Sequence, residues 1–354
     1  EWSPGVTELV DAQGGAGAVA RQDASIRVVY VMGAGRSGST VLDTILNNHE
    51  DVIGVGELVH LYIEGSAAKE NCSCGEARDT CEIWSSVCER WSELTGLPSI
   101  TAHERLMTKF TRVQRLAIPE WHRLRAGNPD PDFAECLKQT HATYQAIADA
   151  TGKRVIIESS KNPLRAKLLC LTPGLDVRLV HLVRDARGVA WSRMKPFAKS
   201  KEGGVPQDIR PKPIHISAGY WLFMNFLSEQ VRKAFPNQPS TRIRYEDFVT
   251  APEQTLKEIG EIAGLDYSSV TNRLLAGAPM APGHLYAGNR VRTAGPIKLR
   301  SDMAWVEKLT LNQKRLTWLL AGYKLRQYGY ERQPTTSTEP QAASATNDSC
   351  RKAA

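Results

Sequence analysis

The segment Gly33–Thr40, with the sequence GAGRSGST, decides the fold because it joins two kinds of secondary-structure signal. The apolar, β-branched run Ile26–Met32 (IRVVYVM) precedes it and predicts a buried strand. A helical pattern of apolar residues follows it, from Val41 to Leu46. In a glycine-rich turn between a strand and a helix, backbone N–H groups can point at a phosphate, and the helix N-terminus adds partial positive charge. The segment therefore predicts a phosphate-binding loop.

The loop departs from a Walker A sequence at one informative position. The spacing of Gly33, Gly38 and Thr40 matches G-x-x-x-x-G-K-[ST], but Ser39 stands where the lysine is expected. That lysine reaches the β- and γ-phosphates of a nucleoside triphosphate, so its absence argues against ATP hydrolysis and kinase chemistry. A positive group is present instead as Arg36. The loop favours a 5′-phosphate, and a P-loop kinase or NTPase stays open as an alternative.

Outside the loop, short apolar runs alternate with helical segments. This alternation indicates a mainly parallel sheet with helices on both faces, so we expect an α/β fold of the P-loop NTPase-like type. Further strands are predicted at Asp51–Val55, Val155–Glu158, Val177–Val183 and Thr241–Tyr245, and an amphipathic helix at Pro252–Ala263.

The chain of 354 residues is long enough for one large α/β domain. We expect that domain over residues 26–332, with a helical, cysteine-containing insertion on the acceptor side at 66–150. Residues 1–25 and 333–354 are rich in small and polar residues without periodicity, so they predict a disordered lead-in and tail. The net charge of +7 suits an anionic ligand, a nucleic acid or an anionic membrane surface, so charge alone does not choose among them.

A second candidate anion site lies in Val177–Met194, VRLVHLVRDARGVAWSRM. The predicted strand delivers Arg184 at its carboxyl end, and Ser192 follows on the next helix. Open α/β sheets bind ligands at the carboxyl ends of their strands, where an arginine and a hydroxyl can hold a phosphate. Taken alone, the two residues would more often belong to the ordinary surface. Together with the phosphate loop, they fit a nucleotide that carries both 5′ and 3′ phosphates.

Four segments of the sequence resemble, in order, the sulfotransferases that use 3′-phosphoadenosine 5′-phosphosulfate (PAPS). GAGRSGSTVLDTIL is similar to their 5′-phosphosulfate loop, and LVRDARGVAWSRM is similar to their 3′-phosphate motif. TRIRYEDFVTAPEQTLKEIGEIAGL resembles their downstream strand and helix, and HLYAGNRVRTAGPIKLRSDMAWVEKL resembles the C-terminal element that closes over the nucleotide. The resemblance covers residues 27–330. It is closer to the carbohydrate and tyrosylprotein types, and their bacterial relatives, than to the cytosolic small-molecule type.

The resemblance implies direct, in-line transfer of a sulfuryl group from PAPS to an acceptor hydroxyl or amine, with release of PAP. It implies PAPS as the cosubstrate and no metal in the reaction. By the same resemblance, the residues that hold the 5′-phosphosulfate are Arg36, Ser37, Gly38, Ser39 and Thr40. Those that bind the 3′-phosphate are Arg184 and Ser192, and further nucleotide contacts fall to Tyr245, Arg290 and Arg292.

In-line sulfuryl transfer needs a base that accepts the acceptor proton. It also needs positively charged groups beside the transferring and leaving oxygens, on which negative charge develops. Glu57 is our candidate base because it follows the second predicted strand, and the resembling Golgi-type enzymes carry a glutamate in a similar position. Arg36 and Lys161 are the candidate electrophilic groups. Lys161 precedes Asn-Pro here, where the tyrosylprotein type has Lys-Asp-Pro. His49 and His60 are rival bases, and a solvated glutamate or a surface lysine is the plainer interpretation.

The predicted insertion carries a group of cysteines and tryptophans. The spacing C-x-C-x₆-C-x₆-C is not a common zinc pattern, so reduced packing thiols, a local disulfide and structural zinc all stay open. The tryptophans are expected in the core, with stacking on a sugar or apolar acceptor as the alternative. The cysteines are Cys72, Cys74, Cys81 and Cys88, and the tryptophans are Trp84, Trp91 and Trp121.

The composition argues against one class of partner, nucleic acids, but it does not identify the acceptor. The acceptor can be a carbohydrate, a lipid, a peptide or a natural product. Aromatic residues make up only 7% and no RNA-binding motif occurs, so we expect no nucleic-acid partner. A non-catalytic nucleotide-binding protein stays open as a second alternative. No apolar run is long enough for an integral membrane segment, and the N-terminus lacks a signal-peptide pattern, so we expect a cytoplasmic protein. A homodimer is an open possibility for the oligomeric state.

Overall fold

A five-stranded, fully parallel sheet forms the centre of the molecule, in the strand order β2-β3-β1-β4-β5. The structure is a computed structural model that describes residues 25–63, 70–113, 127–195 and 210–333. This topology confirms the predicted α/β class. The strands are β1 (Ile26–Met32), β2 (Val52–Gly56), β3 (Val155–Lys161), β4 (Leu175–Val183) and β5 (Ser240–Arg244).

Helices cover the sheet, and the described residues include short 3₁₀ turns at Leu58–His60, Ile100–His103 and Arg290–Thr293. The predicted helix at Pro252–Ala263 is confirmed with the same bounds. The helices are α1 (Ser39–Leu46), α2 (Glu82–Thr95), α3 (Glu104–Thr111), α4 (Asp132–Thr151), α5 (Pro163–Cys170), α6 (Ala186–Met194), α7 (Ile214–Ala234), α8 (Tyr245–Thr250), α9 (Pro252–Ala263), α10 (Ser268–Leu275), α11 (Trp305–Lys308) and α12 (Leu311–Gln327).

Strand β1 is buried on both faces, which explains its uninterrupted apolar sequence. Val28 and Tyr30 belong to the core on one side of the sheet, whereas Val29 and Val31 belong to the core on the other side. These side chains are fully buried. The central position of β1 therefore follows from its sequence, and it fixes where the phosphate loop begins.

The carboxyl ends of the five strands lie at one edge of the sheet because all the strands are parallel. The residues that follow these ends include Gly33 after β1, Glu57 after β2 and Arg184 after β4. Lys161 ends β3, and Tyr245 follows β5. Ligands of open α/β sheets bind at this edge, so the topology alone gathers most of the predicted site residues.

Helices α2, α3 and α4 lie in the chain between β2 and β3, where the sequence predicts a helical insertion. Trp84 and Trp91 are buried there, and each indole N–H donates to a backbone carbonyl, of His284 at 2.9 Å and of Gln139 at 3.2 Å. The two side chains are therefore core residues, and the alternative that they stack on an acceptor is wrong. Trp121 lies outside the described residues.

The two terminal segments for which the sequence predicts disorder fall almost entirely outside the described residues. The boundaries of the domain over 26–332 thus stay a prediction. In the part of the chain that the structure describes, every helix is too short or too polar to cross a lipid bilayer.

Candidate active site

The phosphate loop depends on backbone conformations that its sequence allows. Gly38 has φ +92°, and a Cβ atom there would lie 2.5 Å from the ring of Tyr245. Only glycine fits both the left-handed conformation and the close approach of the ring. Arg36 also lies in the left-handed region, at φ +74°. The loop ends where α1 begins, at Ser39, so the N-terminus of this helix faces the loop.

The polar groups of the loop differ in their hydrogen-bond partners. The Ser37 side chain is buried, and within the described ranges its hydroxyl has no hydrogen-bond partner. A buried polar atom without a partner is costly unless a ligand or water satisfies it. The Thr40 hydroxyl accepts from the backbone N–H of Asn289 at 3.3 Å, and the Gly35 N–H donates to the Tyr220 hydroxyl at 3.0 Å. The Ser37 hydroxyl thus stays available to a phosphate, whereas the Gly35 N–H is already engaged.

Arg184 lies directly against the phosphate loop. Its Nη1 donates to the carbonyl of Arg36 at 3.2 Å, and its guanidinium carbon lies 4.5 Å from the centre of the Tyr245 ring. Its Nη2 donates to the backbone carbonyl of Asp302 at 2.7 Å and pairs with the Asp302 carboxylate at 3.1 Å. The structure therefore brings together three of the predicted nucleotide-binding residues. Ser192 is half-buried on α6, the helix that follows Arg184.

Glu57 and Lys161 form an ion pair at the ends of adjacent strands. The distance from Lys161 Nζ to Glu57 Oε1 is 2.6 Å, and both side chains are mostly buried. The lysine also donates to the backbone carbonyl of Ser159 at 3.1 Å. The structure therefore brings Glu57, the candidate base, into direct contact with Lys161, a candidate electrophilic group.

Several charges act on the Glu57 carboxyl group. Burial by itself raises its pKa, whereas the positive charges of Lys161 and then His60 lower it. The hydrogen bond from Lys161 and the charge of Arg292 act in the same direction, and the net effect holds the pKa below its usual value. Glu57 is therefore a carboxylate at neutral pH, which is the form that can accept a proton.

The two rival histidines lie in different surroundings. His60 Nε2 is 3.7 Å from Glu57 Oε2, and its Nδ1 is 3.7 Å from Glu70 Oε1, so it bridges two carboxylates. His49 instead packs its ring edge-on against Tyr267, with 5.1 Å between the ring centres. His60 therefore belongs to the surroundings of Glu57, and His49 packs against the helical segment after β5.

A segment from the C-terminal part of the chain, residues 284–292, crosses over the site and is called the crossing segment. Gly288 has φ +108°, and a Cβ atom there would lie 3.2 Å from Glu57 Oε1 and 3.4 Å from Thr40 Oγ1. Its backbone N–H donates to Glu70 Oε2 at 3.2 Å. This glycine therefore lies between the candidate base and the phosphate loop. The resemblance places a closing element here, and the structure brings that element into contact with both.

Arg292 stabilises the same segment through hydrogen bonds of its guanidinium group. It is fully buried, and it donates to the carbonyl of Gly288 at 2.6 Å and to the carbonyl of Asn71 at 3.1 Å. It also contacts Glu70 Oε2 at 3.2 Å. These bonds hold the crossing segment in place, and a direct nucleotide contact of Arg292 stays a prediction. The side chain of Arg290 lies outside the described part of the structure.

Sequence reasoning missed a buried carboxylate beside the candidate base. Asp43 Oδ2 accepts from the Ser159 hydroxyl at 2.7 Å and from the N–H of Gly56 at 3.1 Å. Burial raises the pKa of Asp43 to about 7, although both hydrogen bonds and the charge of Lys161 oppose this shift. An aspartate within the apolar sequence VLDTIL of α1 is the signal that could have identified it.

A phosphate loop after the central strand, an arginine from the neighbouring strand and an acid–lysine pair at the same edge define an α/β phosphate-binding protein of the P-loop type. A comparison with family models then identifies the family. The chain belongs to the Sulfotransferase family, whose model matches residues 29–269. This match confirms the class of protein that the sequence predicts.

Individual relatives are distant. Carbohydrate sulfotransferase 1 of Danio rerio is 21% identical over 264 residues, which is 67% of this chain and 62% of the relative. The chain therefore spans less than two thirds of that relative's length. Among solved structures, the sulfotransferase domain of the Synechococcus PCC 7002 olefin synthase is 17% identical, with 86% of this chain and 95% of that chain covered and a TM-score of 0.44. Sulfotransferase STF9 from Mycobacterium avium is 13% identical, with coverages of 92% and 80% and a TM-score of 0.47.

Proposed function

We propose that this chain transfers a sulfuryl group from PAPS to an acceptor hydroxyl or amine and releases PAP. The observation that carries the proposal is the ion pair of Glu57 and Lys161, 2.6 Å apart at the sheet edge where the phosphate loop lies. A phosphate loop alone fits many nucleotide-binding proteins. A carboxylate held in its charged form next to an ammonium, in contact with the element that covers the loop, supports group transfer.

The proposed donor site uses the loop and the end of β4. Arg36, Ser37, Gly38, Ser39 and Thr40 would hold the 5′-phosphosulfate, and Arg184 with Ser192 would hold the 3′-phosphate. The unpartnered Ser37 hydroxyl supports the first assignment, and the buried Nε of Arg184, which has no partner among the described residues, supports the second. The Tyr245 ring lies against both Gly38 and Arg184, so it would separate and orient the two phosphate sites.

The proposed reaction is a single displacement at sulfur. Glu57 accepts the proton of the acceptor hydroxyl or amine as that atom attacks the sulfur of PAPS. The bond between sulfur and the bridging phosphate oxygen breaks, and the electron pair leaves with PAP. Arg36 and Lys161 supply positive charge for the oxygens on which negative charge develops. The buried setting strengthens each of these interactions because fewer water molecules screen them.

The acceptor class is the open part of this proposal. The relative from Danio rerio is named a carbohydrate sulfotransferase, and Glu57 and Lys161 match the pattern of the carbohydrate and tyrosylprotein types. We therefore propose a carbohydrate or peptide hydroxyl as the acceptor to test first. The whole domain over 26–332 would contribute, with the helical insertion on the acceptor side.

Calorimetric titration of the full chain with PAP, AMP and ATP tests the donor site. We expect micromolar or tighter binding of PAP. AMP lacks the 3′-phosphate and should bind at least about tenfold more weakly, because a hydrogen bond to a charged group contributes about 1.5–3 kcal/mol. Equal affinity for PAP and AMP would contradict the two-phosphate site. ATP turnover without PAPS would favour the kinase or NTPase alternative.

A transfer assay then tests the reaction itself. Radiolabelled PAPS is incubated with a panel of oligosaccharides and tyrosine-containing peptides, and labelled product is separated from PAPS. Label in an acceptor that depends on the protein is the expected result. Tight PAP binding without transfer to any hydroxyl or amine acceptor would instead favour the non-catalytic nucleotide-binding alternative.

A further inference from the structure

Three of the four clustered cysteines converge on a histidine that is distant in sequence. The sulfur atoms of Cys72, Cys74 and Cys81 and a ring nitrogen of His284 all lie within 4.8 Å of one another. Cys88, the fourth cysteine of the cluster, is not part of this group and lies on α2. The six cysteines that the structure describes are free. The donor set is therefore three thiols and one imidazole.

Three of the six separations between the ligand atoms match the edges of a tetrahedron around a zinc ion, and all six are within 4.8 Å. Two sulfur atoms that each lie about 2.3 Å from zinc at the tetrahedral angle are about 3.8 Å apart, and a sulfur and a nitrogen are about 3.5 Å apart. Cys74 and Cys81 Sγ are 3.7 Å apart. His284 Nδ1 is 3.4 Å from Cys81 Sγ and 3.7 Å from Cys72 Sγ. The sulfur atoms of Cys74 and Cys81 thus stand at the spacing of shared ligands and not of a covalent bond.

We propose that Cys72, Cys74, Cys81 and His284 bind a structural zinc ion. Cys₃His is one of the usual ligand sets of structural zinc, and a site with four protein ligands leaves no open position for catalysis. The thiols would bind as thiolates and release their protons to solvent. The four ligands take no part in the proposed transfer chemistry, and the proposal does not depend on which donor or acceptor the protein binds.

The surroundings hold the ligands in this arrangement. Cys81 is the residue just before α2, so its sulfur lies at a helix N-terminus, where partial positive charge favours a thiolate. Gly75 has φ +96°, and its N–H donates to the Cys72 carbonyl at 2.9 Å, which closes the loop between the first two ligands. On the other side, the Trp84 indole N–H fixes the backbone of His284 through its carbonyl. Such outer contacts orient the ligands of metal sites.

A cation lies next to the ligand loop. Three thiolates and one zinc ion carry a net charge of about −1. The buried guanidinium of Arg292 donates to the carbonyl of Asn71, the residue before Cys72. The same guanidinium also pairs with Glu70 Oε2 at 3.2 Å, so its charge is shared between that carboxylate and the ligand loop.

The zinc ion would fasten the crossing segment to the rest of the protein. The Ser73 N–H donates to the Leu285 carbonyl at 2.9 Å, and Tyr286, two residues after His284, accepts from the Glu57 N–H at 2.8 Å. The bridge between Gly56 and Tyr286 joins the same segment to the end of β2. Loss of the metal should therefore loosen the segment that covers Glu57, although the metal is not part of the reaction.

Metal analysis of the full chain tests this proposal. The protein is produced in zinc-supplemented medium and purified with a reductant, without chelators or metal-affinity resin. Elemental analysis should find about one zinc ion per chain. Cobalt should replace zinc and give the visible absorption of a tetrahedral site together with thiolate-to-cobalt charge transfer. Neither measurement depends on PAPS. The metal proposal can therefore fail or succeed independently of the proposed donor site.

Matched variants locate the ion. Cys74→Ser changes an exposed ligand, and His284→Asn changes the distant one, so both variants are expected to fold. Each should weaken zinc binding at least about 100-fold, the upper end of the effect of outer-shell changes. Cys88→Ser is the control and should keep the full zinc content. Folding of each variant is checked by circular dichroism.

Three results would overturn the proposal. The first is a wild-type chain that holds neither zinc nor cobalt. The second is a Cys88→Ser variant that loses as much metal as Cys74→Ser. The third is a Cys74–Cys81 disulfide that survives purification in the presence of the reductant and is then found by mass spectrometry.

Discussion

Lys161 and Glu57 come from adjacent strands, and their side chains meet with 2.6 Å between Nζ and Oε1. Lys161 has φ +66°, a left-handed conformation that a lysine seldom adopts. Such a conformation costs about 1–3 kcal/mol and persists only where the surroundings hold it, most often at functional sites. The pair therefore combines backbone strain with a buried charge contact, in the place where the proposed reaction needs a base.

We expect Glu57→Gln to lower the rate of transfer at least about 100-fold, because an amide cannot accept the acceptor proton. PAP affinity should stay nearly unchanged, since the side chain keeps its size and the phosphate loop is untouched. Transfer is measured with labelled PAPS, and PAP binding is measured by calorimetry. Glu89→Gln, on the exposed face of α2, is the control. Full activity of the Glu57 variant would remove this residue from the role of base.

We expect Lys161→Met to shift the pH profile as well as to lower the rate. The charge of Lys161 is the largest of the influences that lower the pKa of Glu57, so its loss raises that pKa. Glu57 must be ionised to act as the base, and the acidic limb of kcat/KM should therefore move to higher pH. Lys138→Met, an exposed change on α4, should leave the limb in place. An unmoved limb in the Lys161 variant would contradict the coupling of the two residues.

Arg184→Ala should weaken PAP binding by about 2–4 kcal/mol, as expected when a buried charge pair loses one partner. AMP binding should change less, because AMP lacks the 3′-phosphate that Arg184 is proposed to hold. Calorimetric titration of both nucleotides gives the two dissociation constants. Arg90→Ala removes a surface arginine of α2 that pairs with Asp149, and it serves as the control. An unchanged affinity for PAP would exclude Arg184 from the donor site.

The parts of the fold that local sequence determines could be predicted. Strand β1 and the phosphate loop follow from an apolar run and a glycine pattern that need no distant partner. Helix α9 begins at Pro252, which suits the first helical position because its missing N–H would have no partner there. The predicted bounds of the other strands agree with the observed bounds to within a few residues. Because the strands are parallel, Glu57, Lys161 and Arg184 then lie at one edge of the sheet.

The parts that depend on long-range contacts could not be predicted. His284 is 203 residues from Cys81, so no spacing rule joins it to the cysteines. The resemblance implies a nucleotide contact for Arg292, and nothing in the sequence indicates that Glu70 and two backbone carbonyls enclose its side chain. Nothing in the sequence indicates that Asp302 is the partner of Arg184. In each case the chemistry of the residue was visible, whereas its partner is set by the tertiary fold.

The buried carboxylate of Asp43 makes the free energy of unfolding depend on pH. Its pKa is raised from 3.8 to about 7 in the folded chain, so between these values the unfolded chain ionises first. The unfolded chain then binds fewer protons than the folded chain, and stability falls as the pH rises through this window. Above pH 7 both states are ionised, and the cost is constant. Its upper bound is about 4 kcal/mol, at about 1.4 kcal/mol per pKa unit.

Asp43→Asn should remove this cost because a neutral amide can still accept from Ser159 and Gly56. We expect the variant to gain stability over the wild type between pH 5 and pH 8, by an amount that grows with pH. Urea unfolding of both chains at the two pH values gives the difference in their free energies of unfolding. The other titratable groups are common to both chains, so their contributions cancel in this difference. Asp51→Asn, whose side chain is 69% exposed, should give no such trend. A gain that grows towards acidic pH would mean that the fold stabilises the ionised form of Asp43, and its pKa would then have to be lowered.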